Sequence, residues 1–119
     1  MRSHNFSLQP FKPANIDLQI TGEVSRNNHI LTVHYALKGD LEKIEIPPVG
    51  DKQNRKDELW KTTCFEFFLG KHYTTQYWEF NLAPSGDWNI YRFEDYRKTM
   101  ELENRVNSLP FNILRDNNA

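Results

Sequence analysis

Three aromatic-rich segments, separated by two short turns, constrain the fold of this chain more than any other feature. They lie at residues 62–69, 76–83 and 87–94, and the sequences GKHYTT and PSGD join them. Apolar and polar side chains alternate along each segment, and alternation with a period of two is typical of β-strands. The pattern therefore predicts three consecutive antiparallel strands.

The rest of the chain adds weaker strand signals. IDLQITG (16–22) and HILTVHYALKG (29–39) alternate in the same way, and SRNN (25–28) between them predicts a hairpin turn. KIEI (43–46) and LPFNIL (109–114) predict two further strands. Predicted strands outnumber predicted helices, so we expect one all-β domain over residues 1–119, an antiparallel β-sandwich of the immunoglobulin-like or jelly-roll-like kind.

Two other segments are less regular. DYRKTMELENRV (95–106) has a helix-like composition without an apolar face, and residues 49–60 are polar with weak turn or short-helix character. Within the second segment, the mixed charges of residues 51–58 predict a solvated surface loop.

Composition excludes several classes of protein. Lysine and arginine total 15 and aspartate and glutamate total 16, so the net charge of −1 argues against binding to nucleic acid or to a membrane surface. The single cysteine, Cys64, excludes an internal disulfide and a cysteine-based metal cluster. The first residues lack the apolar centre of a secretory signal, and we expect a cytoplasmic protein.

The apolar residues also predict how the three strands pair, because paired strands must bury the same face. We expect Phe67 opposite Trp78, which sets Glu66 opposite Glu79. A two-residue hairpin loop, Ser85-Gly86, would then place Glu79 opposite Arg92. The predicted core face consists of Phe65, Phe67, Leu69, Trp78, Phe80, Leu82, Tyr91 and Phe93.

The opposite face of this predicted sheet carries charged residues among aromatic ones. A row formed by Glu66, Glu79 and Arg92 crosses it, beside Tyr77 and Trp88. Like charges directly opposite each other destabilise a sheet unless something compensates. The arginine can neutralise one carboxylate, and the other needs a cation, a proton or a ligand hydroxyl. The face is therefore either a solvated surface with one ion pair or a binding surface for a polyhydroxylated ligand.

These residues also carry a resemblance to a known family. ELWKTTCFEFFLG, followed by YWEFNLAPSGDWNIYRFEDYR, resembles the DOMON-like superfamily, which includes the family-nine carbohydrate-binding modules. Small bacterial DOMON-like proteins are the most similar subgroup, and the resemblance covers roughly residues 10–115. It implies a non-catalytic β-sandwich that binds a ligand: a sugar, in some relatives with structural calcium, or haem. By position, the sugar site would draw on Trp60, Glu66, Glu79, Asn81 and Arg92, to which the face geometry adds Tyr77 and Trp88.

The chain departs from that subgroup at its C-terminal end. Chains of the subgroup continue for several strands beyond the position of Phe111, whereas this sequence ends at Ala119. Missing strands would leave sheet edges open, which natural proteins avoid. We therefore expect a homo-oligomer in which a second copy completes the open edges.

Other functions stay open at this stage. Haem binding would need an axial ligand such as His34 or Met100 in a dry pocket. Glu66 and Glu79, if directly opposite, would lie near the roughly 5–5.5 Å separation of retaining glycosidases, but a flat sheet face lacks the cleft, so we expect no enzyme. Calcium could draw on the same glutamates or Asp87, without an Asp-rich loop to support it. The last alternative is a structural or oligomerisation module whose mixed face packs on its own chain or on a partner subunit.

Overall fold

The regular structure consists of β-strands arranged in two antiparallel sheets. The computed structural model describes residues 2–10 and 17–115, which contain seven strands and two single-turn 3₁₀ helices, at Leu41–Lys43 and Leu59–Lys61. One sheet has three strands and the other has four, with every pairing antiparallel. The predicted all-β, antiparallel fold class is confirmed, and two sheets of this kind are consistent with a β-sandwich.

The first sheet belongs to a compact unit that extends to Ile44. It contains β1 (Arg2–Leu8), β2 (Leu18–Asn27) and β3 (Ile30–Gly39) in that order. The predicted β2–β3 hairpin is confirmed, but the turn predicted at residues 25–28 is wrong, because β2 continues to Asn27. The turn lies at residues 28–29, where Asn28 has a φ of 56° that asparagine tolerates. The strand predicted over residues 16–22 begins at Leu18, since Asp17 is not part of it, and Ile16 lies outside the described residues. The sequence pattern did not predict β1.

Side-chain packing on this first sheet is light. None of the residues in its three strands is fully buried, and the side chains of Ile30 and Leu31 are 68% and 42% exposed. Phe6 and Tyr35 meet edge to face with 5.8 Å between ring centroids. They do so across Gly22, where a Cβ atom would lie 2.3 Å from the Phe6 ring. Glycine at this position therefore makes room for the aromatic contact.

The second sheet belongs to a separate compact unit, Glu45–Arg115. Its strands are β4 (Phe65–Gly70), β5 (Tyr77–Leu82), β6 (Trp88–Phe93) and β7 (Glu101–Leu102), in sequential order. The three predicted aromatic strands are confirmed as β4, β5 and β6. The strands predicted at residues 43–46 and 109–114 are wrong, because both segments are irregular, and the helix-like segment 95–106 instead supplies β7.

The pairing of β4 with β5 is shifted by two residues from the prediction. Phe67 lies opposite Phe80 rather than Trp78, and the two rings stack with centroids 4.5 Å apart. Glu66 consequently lies opposite Asn81, so the prediction that it faces Glu79 directly is wrong. A shift of two residues keeps every side chain on its predicted face, and the hydrophobic pattern cannot distinguish the two registers.

The pairing of β5 with β6 is shifted by one residue, which reverses the face of every β6 side chain. The backbone N–H of Gly86 donates to the carbonyl of Ala83 at 2.9 Å, and the N–H of Ala83 donates to the carbonyl of Asp87 at 2.9 Å. Pro84 and Ser85 thus form the turn, and Gly86, with a φ of 99°, forms a bulge after it. The predicted two-residue loop, Ser85-Gly86, is wrong.

The bulge decides which residues share a side of the second sheet. Trp78 lies opposite Arg92, and Glu79 lies opposite Tyr91. We call one side the glutamate face, formed by Glu66, Phe68, Tyr77, Glu79, Asn81, Asn89, Tyr91 and Phe93. We call the other side the arginine face, formed by Phe65, Phe67, Leu69, Trp78, Phe80, Leu82, Trp88, Ile90 and Arg92.

The core of the second unit is centred on β6. Trp88, Ile90 and Tyr91 are buried at 2%, 1% and 4% exposure, although they point to opposite faces of the sheet. Phe93 is also buried, whereas the predicted core residue Leu69 is 42% exposed. The prediction of a single apolar core face is therefore wrong for β6, which is covered on both sides.

Candidate functional site

The seven predicted site residues divide between the two faces of the second sheet. Glu66, Tyr77, Glu79 and Asn81 share the glutamate face. Trp60, from the 3₁₀ turn before β4, packs against Tyr91 on the same side, with ring centroids 5.8 Å apart. The other two predicted residues lie on the arginine face, so the prediction of one continuous surface is wrong for Trp88 and Arg92.

Trp88 is part of the core rather than a stacking surface. Its side chain is 2% exposed, and the guanidinium of Arg55 lies 5.1 Å from its ring centroid. A ligand in solvent has no access to a ring in this position. The predicted stacking role of Trp88 fails because the hairpin bulge turns this ring to the other side of the sheet.

Arg92 is paired with carboxylates of its own sheet. Its Nη2 atom lies 2.7 Å from a carboxylate oxygen of Glu101, and Nε lies 3.4 Å from one of Glu94. Nη1 lies 3.8 Å from Glu103, whose side chain is buried. The guanidinium therefore neutralises one acid just after β6 and two on the chain around β7, and not the predicted Glu79.

Glu103 is a buried acid that the sequence pattern did not single out. The indole N–H of Trp78 donates to it at 3.1 Å, and the backbone N–H of Arg105 donates at 3.2 Å. These hydrogen bonds, followed by the nearby positive charges, hold the pKa of Glu103 below its usual value. The carboxylate thus stays ionised and fastens the chain after β7 to the arginine face.

Among the predicted site residues that the structure describes, Asn81 is the one whose buried side-chain polar atoms have no hydrogen-bond partner. Its side chain has no exposed surface, and within the described residues neither Nδ2 nor Oδ1 makes a hydrogen bond. It lies opposite Glu66 on β4 and opposite Asn89 on β6. A buried amide without partners costs about 1–3 kcal/mol, so native proteins rarely retain one without a reason.

The two glutamates beside Asn81 influence each other. Partial burial, and then the negative charge of Glu79, raises the pKa of Glu66. Glu66 therefore keeps its proton to a higher pH than an isolated glutamate and, while protonated, can donate a hydrogen bond. Burial, followed by the charge of Glu66, also raises the pKa of Cys64 to about 11. That thiol is protonated at neutral pH and is a poor nucleophile.

A hydrogen-bond network around Asn89 covers part of the glutamate face. The Asn89 amide nitrogen donates to the Lys56 carbonyl at 2.9 Å, to the Asp57 carboxylate at 3.1 Å and to the Tyr91 hydroxyl at 3.1 Å. Its oxygen accepts from Arg55 Nε at 2.8 Å. Asn89 is 1% exposed, and both its amide nitrogen and its amide oxygen make hydrogen bonds.

Tyr91 completes this network. Its hydroxyl donates to the Asp57 carboxylate at 3.0 Å. Burial, and then the bond and charge of Asp57, raises the pKa of Tyr91 to about 12. The sequence offered one signal for the network, a polar Asn89 between Trp88 and Ile90 in an apolar run.

Arg55 ties the predicted surface loop to the sheet. Its guanidinium donates to the backbone carbonyls of Ile90 at 3.0 Å, Glu103 at 2.8 Å and Val106 at 3.0 Å. The backbone around it pairs with β6, since the Trp88 N–H donates to the Asn54 carbonyl at 3.0 Å. The prediction that residues 51–58 form only a solvated loop is therefore wrong at Arg55.

Asp87, a predicted candidate for calcium, already has several donors. Its carboxylate accepts from the hydroxyl of Ser85 at 2.9 Å and from the backbone N–H of Asn54 at 3.2 Å, and Lys56 Nζ lies 3.3 Å away. Burial acts to raise the pKa of Asp87, but these bonds outweigh it and lower the pKa. The carboxylate holds the hairpin turn in place.

Open clefts lie away from the glutamates. One, of about 350 Å³, lies beside Arg55, and another, of about 490 Å³, lies beside Arg92. Neither is lined by Glu66, Glu79 or Asn81.

Among residues 2–10 and 17–115, no three His, Cys, Asp or Glu side chains are grouped so as to hold a metal ion. In the same part of the chain no helix has both the length and the apolar character needed to cross a membrane.

Comparison with known proteins adds no relative. No family model, curated protein or solved structure matches the chain.

Proposed function

We propose that the chain is a non-catalytic binding module for a small polyhydroxylated molecule, of which a carbohydrate is the first candidate. The observation that supports this proposal is the buried Asn81 amide, which has no hydrogen-bond partner among the described residues. It shares the glutamate face with Glu66 and Glu79, two carboxyl groups suited to ligand hydroxyls. The resemblance to DOMON-like sugar-binding modules favours the same function.

The chemistry of the glutamate face suits such a ligand. A carboxamide both donates and accepts, so Asn81 can bind two neighbouring hydroxyls, while the two glutamates accept further hydrogen bonds. Trp60 is 44% exposed, and its ring could stack on the C–H face of a sugar at the edge of the site. Tyr77 is partly exposed and lies two residues from Glu79 on the same face.

Access to Asn81 requires movement. Because its amide has no exposed surface, a ligand must displace the side chains that cover it. We therefore expect association to be slower than diffusion-limited binding to an open pocket. Catalysis is not part of the proposal, because Glu66 and Glu79 are diagonal rather than opposite and neither open cleft includes them.

The test compares two asparagine variants in titration calorimetry against a panel of monosaccharides and disaccharides. Asn81→Leu removes the proposed ligand contact together with the unpaired amide, so we expect the fold to persist and binding to be lost. Asn107→Leu changes an exposed asparagine elsewhere and should bind as the wild type does. Binding of a sugar by Asn81→Leu with unchanged affinity, or no binding by the wild type across the panel, would refute the proposal.

A structural or oligomerisation module is the second candidate. The observation in its favour is that four consecutive residues of β6, Trp88 to Tyr91, are buried, so that protein covers both faces of this strand. A protein that binds no member of the panel but associates with itself would support this candidate. Haem is less favoured, because His34 and Met100 are both exposed rather than set in a dry pocket.

A further inference from the structure

The carboxylate of Glu79 lies among aromatic residues without a counterion. Phe68 is directly opposite it on β4, Tyr91 is directly opposite it on β6, and Tyr77 precedes it by two residues on the same face. Glu79 is half-buried, and its carboxylate makes no hydrogen bond or ion pair with the residues that the structure describes. A partly buried charge in this position is destabilising unless a cation approaches it.

The cations of the chain that flank this sheet are engaged elsewhere. Lys71, just after β4, lies over an indole ring of the arginine face, with 5.4 Å from Nζ to the ring centroid. Arg92 pairs with acids around β7, and Arg97 lies 5.0 Å from the ring centroid of Tyr96. The eight residues of the glutamate face include no lysine, arginine or histidine. The described chain therefore supplies no counterion to Glu79.

The rings next to Glu79 have the chemistry that attracts an organic cation. The face of an aromatic ring carries partial negative charge and attracts an ammonium group within about 6 Å of its centroid. Phe68 is 59% exposed and meets Tyr77 edge to face, with 6.0 Å between ring centroids. The backbone N–H of Arg97 donates to the Tyr77 hydroxyl at 2.9 Å, which holds that ring in position. An exposed ring, a fixed ring and a carboxylate are thus neighbours on one face.

We propose that Glu79, Phe68 and Tyr77 form a subsite for a protonated amine of the ligand. The inference rests on the proposed function, and it narrows the polyhydroxylated ligand to an amino sugar or another hydroxylated amine. Asn81, whose buried amide has no hydrogen-bond partner among the described residues, follows Glu79 on the same face of β5. The two positions are about 6–7 Å apart along the strand, so an amine and a neighbouring hydroxyl of one sugar ring can reach both side chains.

A metal ion is less favoured than an amine in this subsite. Calcium takes about six to eight oxygen ligands and magnesium takes about six. In the described ranges, 2–10 and 17–115, no three His, Cys, Asp or Glu side chains are grouped so as to hold such an ion. Aromatic rings supply no oxygen ligand, whereas they stabilise a substituted ammonium group. The surroundings of Glu79 therefore select an organic cation.

The first experiment compares three sugars in titration calorimetry at a pH of about 6, where the amine of an amino sugar is protonated. Glucosamine, glucose and N-acetylglucosamine differ only in the group at carbon 2, which is charged in glucosamine alone. We expect glucosamine to bind at least about tenfold more tightly than either neutral sugar, because its amine forms a charge-assisted hydrogen bond. Equal binding of all three would refute the amine subsite and leave the carbohydrate module standing.

Tetramethylammonium chloride, which has the charge without hydroxyls, separates the two proposals further. It is titrated in two-dimensional NMR spectra against sodium chloride at the same concentration. Shifts confined to residues around Glu79, in a protein that binds no sugar, would support the subsite and refute the carbohydrate function. Absence of binding by both tetramethylammonium and glucosamine would refute the subsite.

The second experiment changes the charge and the ring one at a time. Glu79→Gln keeps the side-chain size and removes the charge, so the preference for glucosamine over N-acetylglucosamine should disappear. Phe68→Leu keeps an apolar group at an exposed position and should weaken glucosamine binding about two- to fivefold. Glu23→Gln, the matched control, removes the same charge from an exposed position of β2 and should keep the preference. A preference that survives Glu79→Gln, or glucosamine binding unchanged by Phe68→Leu, would overturn the proposal.

Discussion

Two asparagines that face each other across β5 and β6 have opposite surroundings. Asn81 and Asn89 are directly paired, and both are buried. Asn89 bonds to three groups through its amide nitrogen and accepts from Arg55, while Asn81 has no hydrogen-bond partner within the described residues. The same residue type therefore stabilises the fold at one position and costs free energy at the other.

We expect replacement by leucine to change the free energy of unfolding in opposite directions at the two positions. Asn81→Leu should raise the free energy of unfolding by about 1 kcal/mol, because it removes an unsatisfied buried amide. Asn89→Leu should lower it by about 2–3 kcal/mol, because Arg55, Asp57 and Tyr91 each lose a buried or partly buried hydrogen bond to Asn89. Urea unfolding followed by tryptophan fluorescence measures both. Equal destabilisation by the two variants would mean that a partner such as ordered water satisfies Asn81.

At the scale of the strands, the sequence pattern predicted what period-two alternation can determine. It located β4, β5 and β6, the β2–β3 hairpin and the shared faces of β4 and β5. It did not determine the β4–β5 register, because a two-residue shift leaves the faces unchanged. It also missed strand β1, whose RSHNFSL sequence is too polar to signal a buried face.

The error that most affected the candidate site came from one turn. The prediction used Ser85-Gly86 as a two-residue loop, but proline favours the second position of a type I turn and glycine the fourth. Pro84 and Gly86 satisfy those preferences only if the turn begins at Ala83. The resulting bulge separated Trp88 and Arg92 from the other predicted site residues. Pro84 therefore indicated the correct start of the turn, which the alternation of apolar and polar residues alone cannot show.

The bulge gives a prediction for glycine substitutions. Gly86→Ala should lower the free energy of unfolding by about 1–3 kcal/mol, because a φ of 99° is unfavourable for alanine and its Cβ would lie 3.1 Å from Gln53 Cγ. Gly70→Ala is the matched control, since its Cβ would meet only ordinary contacts near 3.9 Å. Thermal and urea unfolding compare the two. A cost at Gly70 as large as that at Gly86 would contradict this account of the turn.

For the whole molecule, the described chain contains two compact units of unequal packing. The unit formed by residues 45–115 contains the buried β6 strand and the Arg55 and Asn89 networks. The unit that extends to Ile44 contains a three-stranded sheet in which no strand residue is fully buried. A single domain over residues 1–119 stays a prediction.

This difference predicts how fragments behave. We expect residues 45–115 to fold alone, because the hydrogen bonds that fix β6 have both partners inside that range. Residues 1–44 should be largely unfolded alone, because no strand residue of this unit is fully buried and its sheet therefore lacks an apolar core of its own. Amide proton dispersion in two-dimensional NMR spectra distinguishes these states. A dispersed spectrum from residues 1–44, or a collapsed one from residues 45–115, would contradict the expectation.

The Ala83–Asp87 bulge also bears on how this chain can change by mutation. Loss of one codon that left a three-residue bulged loop in place would set Ala83 opposite Trp88, rotate the following strand by half a turn and bring Arg92 opposite Glu79. The side chains of β6 would then exchange inside for outside without one of them being substituted. Loss of one codon that left a two-residue loop would instead keep Ala83 opposite Asp87 and leave both faces unchanged. Proteins with nearly identical sequences in this region can thus expose different side chains. A gap of one position in an alignment here would carry more functional information than many substitutions.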